Sequence, residues 1–396
     1  MTRVLIIQAQ TMGYRFPFFT QLHGALKRDD IELKVAYSPP HGVYATLTEN
    51  AELPPDCLYK VKAHWLAGRM IYQPLWREIA RADLVITGHE NKYLMNLWLF
   101  LLSALRLKRV ALWGLGEWKE EGQSRLSGWL REKSLQAADW YFAYTQGIVP
   151  YLQQHGVTAE RITIVQNATD TAELRRLLHD ITDEEAAEAK RTLTGDAASR
   201  IGFYCGMLVR NKALPFLLES AHRVRQQCPD FHLVIMGSGP ERAWLEQAIA
   251  GQPWIHYVGS KYGRESALFY KMADVFLLAG TAGLAVVDSF GAGLPLIATE
   301  LPTHPPEVDY LCDGKNGRMT PHDPGAYAQA IVEVLTRPAL MSRLRQGAIA
   351  AGSRYTMEAM VENFRAGIIN CLAYRGSASQ FHQSLNSGDL GGYRER

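Results

Sequence analysis

Cysteine, charge of one sign and long apolar runs are all scarce in this chain. Its five cysteines are scattered, with no Cys-x-x-Cys pair, so we expect reduced thiols in a cytoplasmic protein. The 42 basic side chains nearly balance the 40 acidic ones, which gives no reason to expect nucleic acid as a partner. No Asp-x-Asp sequence occurs. Because a metal-bridged diphosphate usually needs paired carboxylates, we expect chemistry without a metal.

No apolar run reaches the roughly 20 residues that a membrane-spanning helix needs. The first apolar run, Val4 to Ile7, is too short for a signal peptide and predicts a buried strand. The longest run is Leu94 to Leu105. We expect it to form a helix buried in a domain. The alternative is a helix that lies near a membrane face, with Arg106, Lys108 and Arg109 at its end.

Short β-rich runs alternate with helical patterns through most of the chain, for example VLIIQ (4–8) and IGFYCG (201–206). This alternation predicts an α/β fold of parallel sheets with crossover helices. The length of 396 residues suits two domains, so we expect two Rossmann-like domains that face across a cleft. The predicted division is a first domain at 1–168, a charged linker at 169–200, a second domain at 201–355, a final helix at 356–374 and a disordered polar tail at 375–396.

The most informative stretch is a glycine-rich loop that opens a short helix, AGTAGLAVVDSFGAG, which begins at Ala279. A helix start presents free backbone N–H groups and a positive dipole end, which suits a phosphate. Asp288 lies four residues after Leu284 and therefore one turn further along the same face. There its carboxylate could accept two hydrogen bonds from a ribose diol. The pattern predicts a pocket for a nucleotide-sugar.

Several runs in the second half occur together in a recognisable order: FYCGMLVRNKALPFLLESA (203–221), LVIMGSGPERAWLEQA (233–248), VGSKYGRESALFYKMADVFLLAG (258–280), GLAVVDSFGAGLPLIAT (283–299) and HPPEVDYLCDGKNG (304–317). Together they resemble the nucleotide-sugar domain of the retaining glycosyltransferases of family four, which have the GT-B fold. The first half matches more loosely, through Gly13 and ITIVQNATD (162–170). The resemblance implies that the first domain is the acceptor side, that the second binds the donor, and that the final helix packs back on the first domain.

The resemblance also implies roles for two basic residues. Lys212 matches the family lysine that contacts the donor diphosphate, where a point charge stabilises the leaving group. The family arginine five residues earlier is replaced by Met207. Arg210 either compensates for that arginine or is a solvated loop residue.

The paired-glutamate motif of the family is altered in this chain. Asp288 takes the place of its second glutamate and Gly280 the place of its first, which normally holds the donor sugar. The sugar must then be held in another way, and the candidates are His304 and the backbone N–H groups of Thr281, Ala282, Gly283 and Leu284. Gly237 and Gly239 either approach the nucleotide base or form a simple turn after a strand.

The acceptor side offers weaker candidates. The catalytic histidine of many family members falls on Leu115, and the nearest ionisable residue is Glu117. His89 ends the preceding strand and should face the cleft, either as a catalytic group or as a structural histidine. Gly13, in the first strand–helix loop, could let the backbone approach a phosphate, and Arg15 beside it could meet an anionic acceptor.

These observations together predict a retaining hexosyltransferase. The donor would be a UDP- or GDP-linked sugar used as a co-substrate, with no other cofactor. The acceptor would be a glycan or a polyprenyl-linked oligosaccharide of surface polysaccharide synthesis, reached in the cytoplasm at the inner face of the cytoplasmic membrane. Two alternatives remain: a nucleotide-sugar epimerase of the same fold, and a non-catalytic partner subunit, which the replacements at Met207, Gly280 and Leu115 would suit.

Overall fold

The computed structural model describes residues 1–9, 13–38, 56–66, 70–90, 92–116 and 125–374. The tail expected at 375–396 and the candidate Glu117 lie outside the described residues. The strands of the first half are β1 (Thr2–Gln8), β2 (Ile31–Tyr37), β3 (Leu58–Lys60), β4 (His64–Leu66), β5 (Met70–Tyr72), β6 (Leu84–Gly88), β7 (Arg109–Gly114), β8 (Trp140–Ala143) and β9 (Ile162–Ile164). Its helices are α1 (Phe16–Lys27), α2 (Trp76–Arg81), α3 (Leu94–Ala104), α4 (Arg125–Ala137) and α5 (Val149–Gln154).

The first half is built on a parallel sheet in the order β3-β2-β1-β6-β7-β8-β9, with β4 and β5 forming a separate antiparallel hairpin. The central strand β1 is apolar on both faces because helices cover both of them. Val4 and Ile6 pack in the same core as α1, while Leu5 and Ile7 pack with residues of α2 and α3.

The second half contains the strands β10 (Arg200–Cys205), β11 (Phe231–Met236), β12 (Ile255–Gly259), β13 (Val275–Leu278), β14 (Leu296–Thr299) and β15 (Gly317–Thr320). They form a second parallel sheet in the order β12-β11-β10-β13-β14-β15. This is the strand order of a Rossmann-like domain, in which the chain switches direction between two central strands. The predicted α/β fold with two Rossmann-like halves is confirmed.

The remaining helices are α6 (Ala172–Asp180), α7 (Asp183–Thr194), α8 (Leu214–Gln227), α9 (Arg242–Ala248), α10 (Gly263–Met272), α11 (Ala285–Gly291), α12 (Pro324–Thr336), α13 (Pro338–Arg354) and α14 (Met357–Ala373). The predicted linker is thus largely helical, and α6 and α7 pack on α10 of the second domain. Local sequence sets the limits of α7, because the Thr182 hydroxyl accepts a hydrogen bond from the backbone N–H of Glu185 and Gly195 ends the helix with a left-handed φ of 87°.

The final helix α14 crosses back to the first domain, where it packs on α1, β8 and β9. Phe364 stacks on Phe142 with ring centroids 4.4 Å apart. Arg365 donates two hydrogen bonds, of 2.5 and 2.7 Å, to the Asp29 carboxylate. Gly367 permits the close approach, because a Cβ there would lie 2.6 Å from the Phe142 ring.

Helix α3 is buried on one face only. Met95 and Leu99 are buried, whereas Leu97, Trp98 and Leu101 are 57%, 52% and 48% exposed. The expectation of a fully buried helix is therefore wrong, because the outer face of α3 has no covering element in the described part of the first domain. Within the described ranges, no helix combines the length and the apolar character needed to cross a membrane.

Candidate active site

The candidate site forms where β10 and β13 lie side by side, since these neighbouring central strands send their following connections in opposite directions. Ligands of open α/β sheets bind at the carboxyl ends of the strands at this switch point. The loop after β10 carries Lys212, and the loop after β13 is the glycine-rich segment that leads into α11. The fold therefore brings the two predicted donor-binding segments together, although they are far apart in sequence.

Lys212 is hydrogen-bonded to the glycine-rich loop. Its Nζ donates hydrogen bonds to the backbone carbonyls of Thr281 and Ala282, at 2.6 and 2.9 Å. Burial lowers the pKa of Lys212 to about 8, although the nearby Glu307 carboxylate acts in the opposite direction. An ammonium group has three N–H donors, so one remains for a ligand. Lys212 thus lies where the sequence predicted it, with its charge partly desolvated.

Gly280, the position at which the resemblance predicts a replaced glutamate, lies directly against the lysine loop. A Cβ at this position would be 2.4 Å from both the Asn211 carbonyl oxygen and the Lys212 carbonyl carbon. The backbone N–H of Thr281 also donates to Asn211 O at 2.9 Å. No side chain fits between these two loops, so the loss of the glutamate and the close approach of Lys212 are one structural feature.

The backbone N–H groups of the glycine-rich loop are not all available to a ligand. Thr281 N–H is used by Asn211, and Ala282 N–H donates to His304 Nδ1 at 3.0 Å. The expectation that the whole run holds the sugar is therefore corrected: only the amides of Gly283 and Leu284 have no hydrogen-bond partner among the residues that the structure describes. These two amides directly precede α11, where the N–H groups at the start of a helix have no partner within the helix.

His304 supports the loop with both of its ring nitrogens. Nδ1 accepts from Ala282, while Nε2 donates to the Thr299 carbonyl at 2.5 Å. Burial, followed by the charge of Lys212, lowers the pKa of His304, although its bond to Thr299 opposes that shift. The neutral ring therefore positions the loop, and its predicted contact with the sugar stays a prediction.

Asp288 is half-buried on α11, one turn after Leu284 as expected. Its Oδ1 accepts a hydrogen bond of 2.8 Å from the hydroxyl of Thr169, which lies in the segment that joins the two halves. Burial raises the pKa of Asp288 to about 6, against the opposite effect of the Thr169 bond. Its second oxygen has no protein donor among the described residues, which leaves it available to a diol.

The other donor-side candidates divide into two groups. The Arg210 side chain is exposed beside Lys212, with no ion pair in the described ranges. Gly237 and Gly239 instead allow two backbone segments to approach closely. A Cβ at Gly237 would be 1.9 Å from Gly206 O, and one at Gly239 would be 2.4 Å from Leu208 O. Their structural role is explained by this packing, and contact with a base stays a prediction.

The acceptor-side candidate His89 is buried at 3% exposure, with both ring nitrogens engaged. Nδ1 lies 3.2 Å from the Tyr141 hydroxyl, and Nε2 lies 3.0 Å from Ser134 Oγ. Burial, followed by the positive charge of Arg131, lowers the pKa of His89 to about 3. The geometry favours the structural histidine of the two alternatives, and a catalytic role for His89 stays a prediction. Gly13 begins a short 3-10 helix, Gly13–Arg15, that leads into α1.

A buried polar chain that the sequence did not reveal joins the two domains beside the site. Arg15 Nη1 donates to Asn167 Oδ1 at 2.8 Å, and Asn167 Nδ2 donates to the Glu307 carboxylate. Arg15 is thus hydrogen-bonded within the protein. We had expected it to meet an anionic acceptor, and this geometry does not favour that contact. Thr145 and the Gly147 N–H add a second bridge, to Asp309.

Known proteins match part of this chain in sequence. Residues 199–337 match the model of a family described as glycosyl transferases group 1. The GtfA subunit of a UDP-N-acetylglucosamine–peptide N-acetylglucosaminyltransferase from Streptococcus pneumoniae is 29% identical over 117 residues, which cover 29% of this chain and 23% of that protein. Alpha-monoglucosyldiacylglycerol synthase of Acholeplasma laidlawii is 30% identical over 116 residues, or 28% of each protein. The matches thus span less than a third of either relative.

Solved structures match over almost the whole chain. Anabaena HepE in complex with UDP superimposes with a TM-score of 0.67 at 15% identity, covering 93% of this chain and 100% of that one. Pneumococcal GtfA with UDP and GlcNAc gives a TM-score of 0.66 at 13% identity, covering 94% and 99%. This likeness confirms the predicted GT-B architecture. The expected class of enzyme, a glycosyltransferase, agrees with the family match and with both sets of relatives.

Proposed function

We propose that this protein is a retaining glycosyltransferase that moves a hexose from a nucleotide-diphosphate sugar to a glycan or lipid-linked acceptor. The observation that carries the proposal is the position of Lys212 against the glycine-rich loop and of Asp288 on the helix that this loop opens, at the switch point of the second sheet. A cation at the loop and a carboxylate one helical turn beyond it suit the diphosphate and the ribose of one ligand. The family match covers both residues, and similar folds have been solved with UDP.

The residues divide the work of donor binding. Lys212 directs its remaining N–H toward the diphosphate, and the amides of Gly283 and Leu284 add two neutral donors. The negative charge on the leaving diphosphate grows as the glycosidic bond breaks, so partly desolvated donors stabilise the transition state more than the ground state. Asp288 holds the ribose through its free oxygen.

The acceptor hydroxyl would approach from the leaving-group face, with a donor phosphate oxygen taking its proton. This assignment follows from the family resemblance, and the engaged state of His89 is consistent with it. Catalysis would then rest on orientation and electrostatic stabilisation.

The exposed apolar face of the first domain favours an acceptor that lies at a membrane surface. The outer face of α3 presents Leu97, Trp98 and Leu101, and Trp76 of α2 packs edge-on to Trp98 with ring centroids 5.8 Å apart. Exposed aromatic and aliphatic side chains on one helix face suit the interface of a bilayer. Of the expected basic flank, Lys108 and Arg109 donate instead to backbone carbonyls. A relative named alpha-monoglucosyldiacylglycerol synthase, after a lipid, is consistent with this surface.

A non-catalytic partner subunit is the second candidate, because Gly280 removes the glutamate that holds the donor sugar in related enzymes. Such a protein would bind the nucleotide but would not turn over a donor alone. Turnover therefore separates it from the first candidate.

The deciding experiment is calorimetry with UDP and GDP, with and without magnesium, on the wild type, Lys212→Ala and Lys271→Ala. Lys271 is a lysine of the same domain that pairs with Asp183, and it serves as the matched control. We expect one nucleotide to bind without magnesium, more weakly to Lys212→Ala and unchanged to Lys271→Ala. If neither nucleotide binds the wild type, the donor site and the proposal are wrong. Incubation with a panel of UDP- and GDP-sugars and mass spectrometry of the products then tests transfer.

A further inference from the structure

A cavity of about 360 Å³ lies between α3 and α4, and the donor site does not use it. Its walls are mainly apolar and come from both helices and from the segment before α3. The lining includes Leu94, Leu97, Phe100, Trp129 and Ala137. Pockets for small molecules have volumes of about 300–1,000 Å³ and mostly apolar walls. This cavity has the size and the lining of a site for an apolar ligand.

The position of the cavity connects the cleft to the exposed face of α3. Its lining includes His89 and Glu90, which directly follow β6 at the carboxyl edge of the first sheet. It also includes Leu97 and Trp129, which are 57% and 53% exposed. Because the carboxyl edges of parallel strands face the cleft, a chain in this cavity would run from the cleft to the outer apolar face.

Charge at the rim indicates the kind of head group. Lys133 lines the cavity from α4 and is exposed, with its Nζ 3.1 Å from the side-chain oxygen of Gln136. Glu90, the carboxylate of the lining, is ion-paired with Lys92. The rim thus carries a net positive charge beside apolar walls, which suits a phosphate attached to a hydrocarbon chain.

We propose that this cavity, the α3–α4 pocket, binds the first part of the hydrocarbon chain of a lipid-phosphate acceptor and holds its head group at the cleft. The inference rests on the proposed function, since it specifies the acceptor of that reaction. The pocket takes up the chain segment next to the phosphate, while the outer face of α3 contacts the rest of the chain or the bilayer. Lys133 pairs with the phosphate.

The test uses the full chain and a dodecyl phosphate that carries a diazirine on its alkyl chain, below its micelle concentration. Binding is measured by calorimetry, and photo-crosslinks are mapped by mass spectrometry. We expect crosslinks within Leu94–Phe100 and Trp129–Ala137. Inorganic phosphate is the parallel ligand, and its binding with equal affinity would show a simple anion site and overturn the proposal.

Two variants probe the walls and one serves as a control. Ala137→Phe fills the pocket and should weaken binding about tenfold or more, since about two methylene groups lost from burial have that effect. Leu97→Gln makes an exposed residue of the lining polar, so it tests the apolar contact with the alkyl chain without a risk to folding. Ala350→Phe, at an exposed alanine of α13 in the other domain, should change nothing. Unchanged affinity in both pocket variants, or crosslinks outside α3 and α4, would overturn the proposal.

UDP binding is measured on the same samples. A protein that binds UDP but not the probe disproves the pocket and leaves the proposed function intact. A protein that binds the probe at the expected residues but not UDP supports the lipid pocket and overturns the donor assignment. Lys133→Gln adds a charge-specific readout, because it should weaken binding of dodecyl phosphate but not of dodecanol.

Discussion

Placing a glutamate at Gly280, as the family resemblance predicts for related enzymes, should destabilise this protein. The added Cβ would lie 2.4 Å from Asn211 O and 2.6 Å from Lys212 Cα, and these are backbone atoms that cannot rotate away. The φ of Gly280 is not in the left-handed region, so the cost is steric alone. Overpacking of this kind costs about 1–3 kcal/mol, and the lysine loop must move to relieve it. Because that movement separates Lys212 from the Thr281 and Ala282 carbonyls, UDP affinity should fall as well.

The assay compares urea unfolding and UDP calorimetry for the wild type, Gly280→Ala and Gly280→Glu. Gly24→Ala is the matched control, because nothing lies within 4 Å of its added Cβ in α1. Alanine there should be neutral or stabilise the helix by about 0.5–1 kcal/mol. If Gly280→Glu is as stable as the wild type and binds UDP at least as tightly, then the close contact of the two loops is not what excludes the glutamate, and the argument fails.

Three further outcomes follow from the same geometry. UDP affinity should fall as pH rises above about 8, where Lys212 with its lowered pKa loses its charge, and this dependence should be absent in Lys212→Ala. Because burial raises the pKa of Asp288 from 3.8 to about 6, the folded state holds more protons in that window and stability falls as pH rises through it. Asp288→Asn should therefore be more stable than the wild type in urea at pH 7, and bind UDP less tightly; a less stable variant would contradict the assignment. Phe364→Ala should cost about 3–5 kcal/mol in urea unfolding, since the ring is fully buried against Phe142, and a loss below about 1 kcal/mol would show that α14 is not anchored there.

Periodicity and turn residues were enough to predict the central strands of both sheets, because buried parallel strands have continuous apolar runs. The short strands β4, β5 and β15 could not be predicted, because they lack such continuous apolar runs. In the hairpin, β4 is exposed and β5 buries only Ile71, so neither strand carries such a run, and β15 has the mixed sequence GRMT. The glycine-rich loop and Asp288 could be predicted because loop and carboxylate are neighbours in the chain.

Contacts between distant segments could not be predicted in this way. Thr169 and Asp288 are 119 residues apart, yet share a hydrogen bond. Asn167 and Glu307 are 140 residues apart. Ala213 also has a left-handed φ of 51°, and nothing in its side chain indicates that strain. Only the relative placement of the two domains reveals that Arg15 and Glu307 belong to one buried chain.

That placement has a consequence for how the cleft works. The contacts beside the site are polar: Arg15 with Asn167, Asn167 with Glu307, and Asp309 with Thr145. Burial raises the pKa of Glu307, although its bond to Asn167 opposes the shift, so the charged carboxylate is partly destabilised at this position. When polar groups separate, water replaces their partners, so each of these bonds to a charged group contributes about 1.5–3 kcal/mol to this arrangement of the domains. An apolar interface of the same extent would lose its full burial on opening. The polar contacts therefore fix the orientation of the domains through groups that water can solvate once they separate, which suits the entry of a donor and an acceptor and the release of products in the proposed reaction.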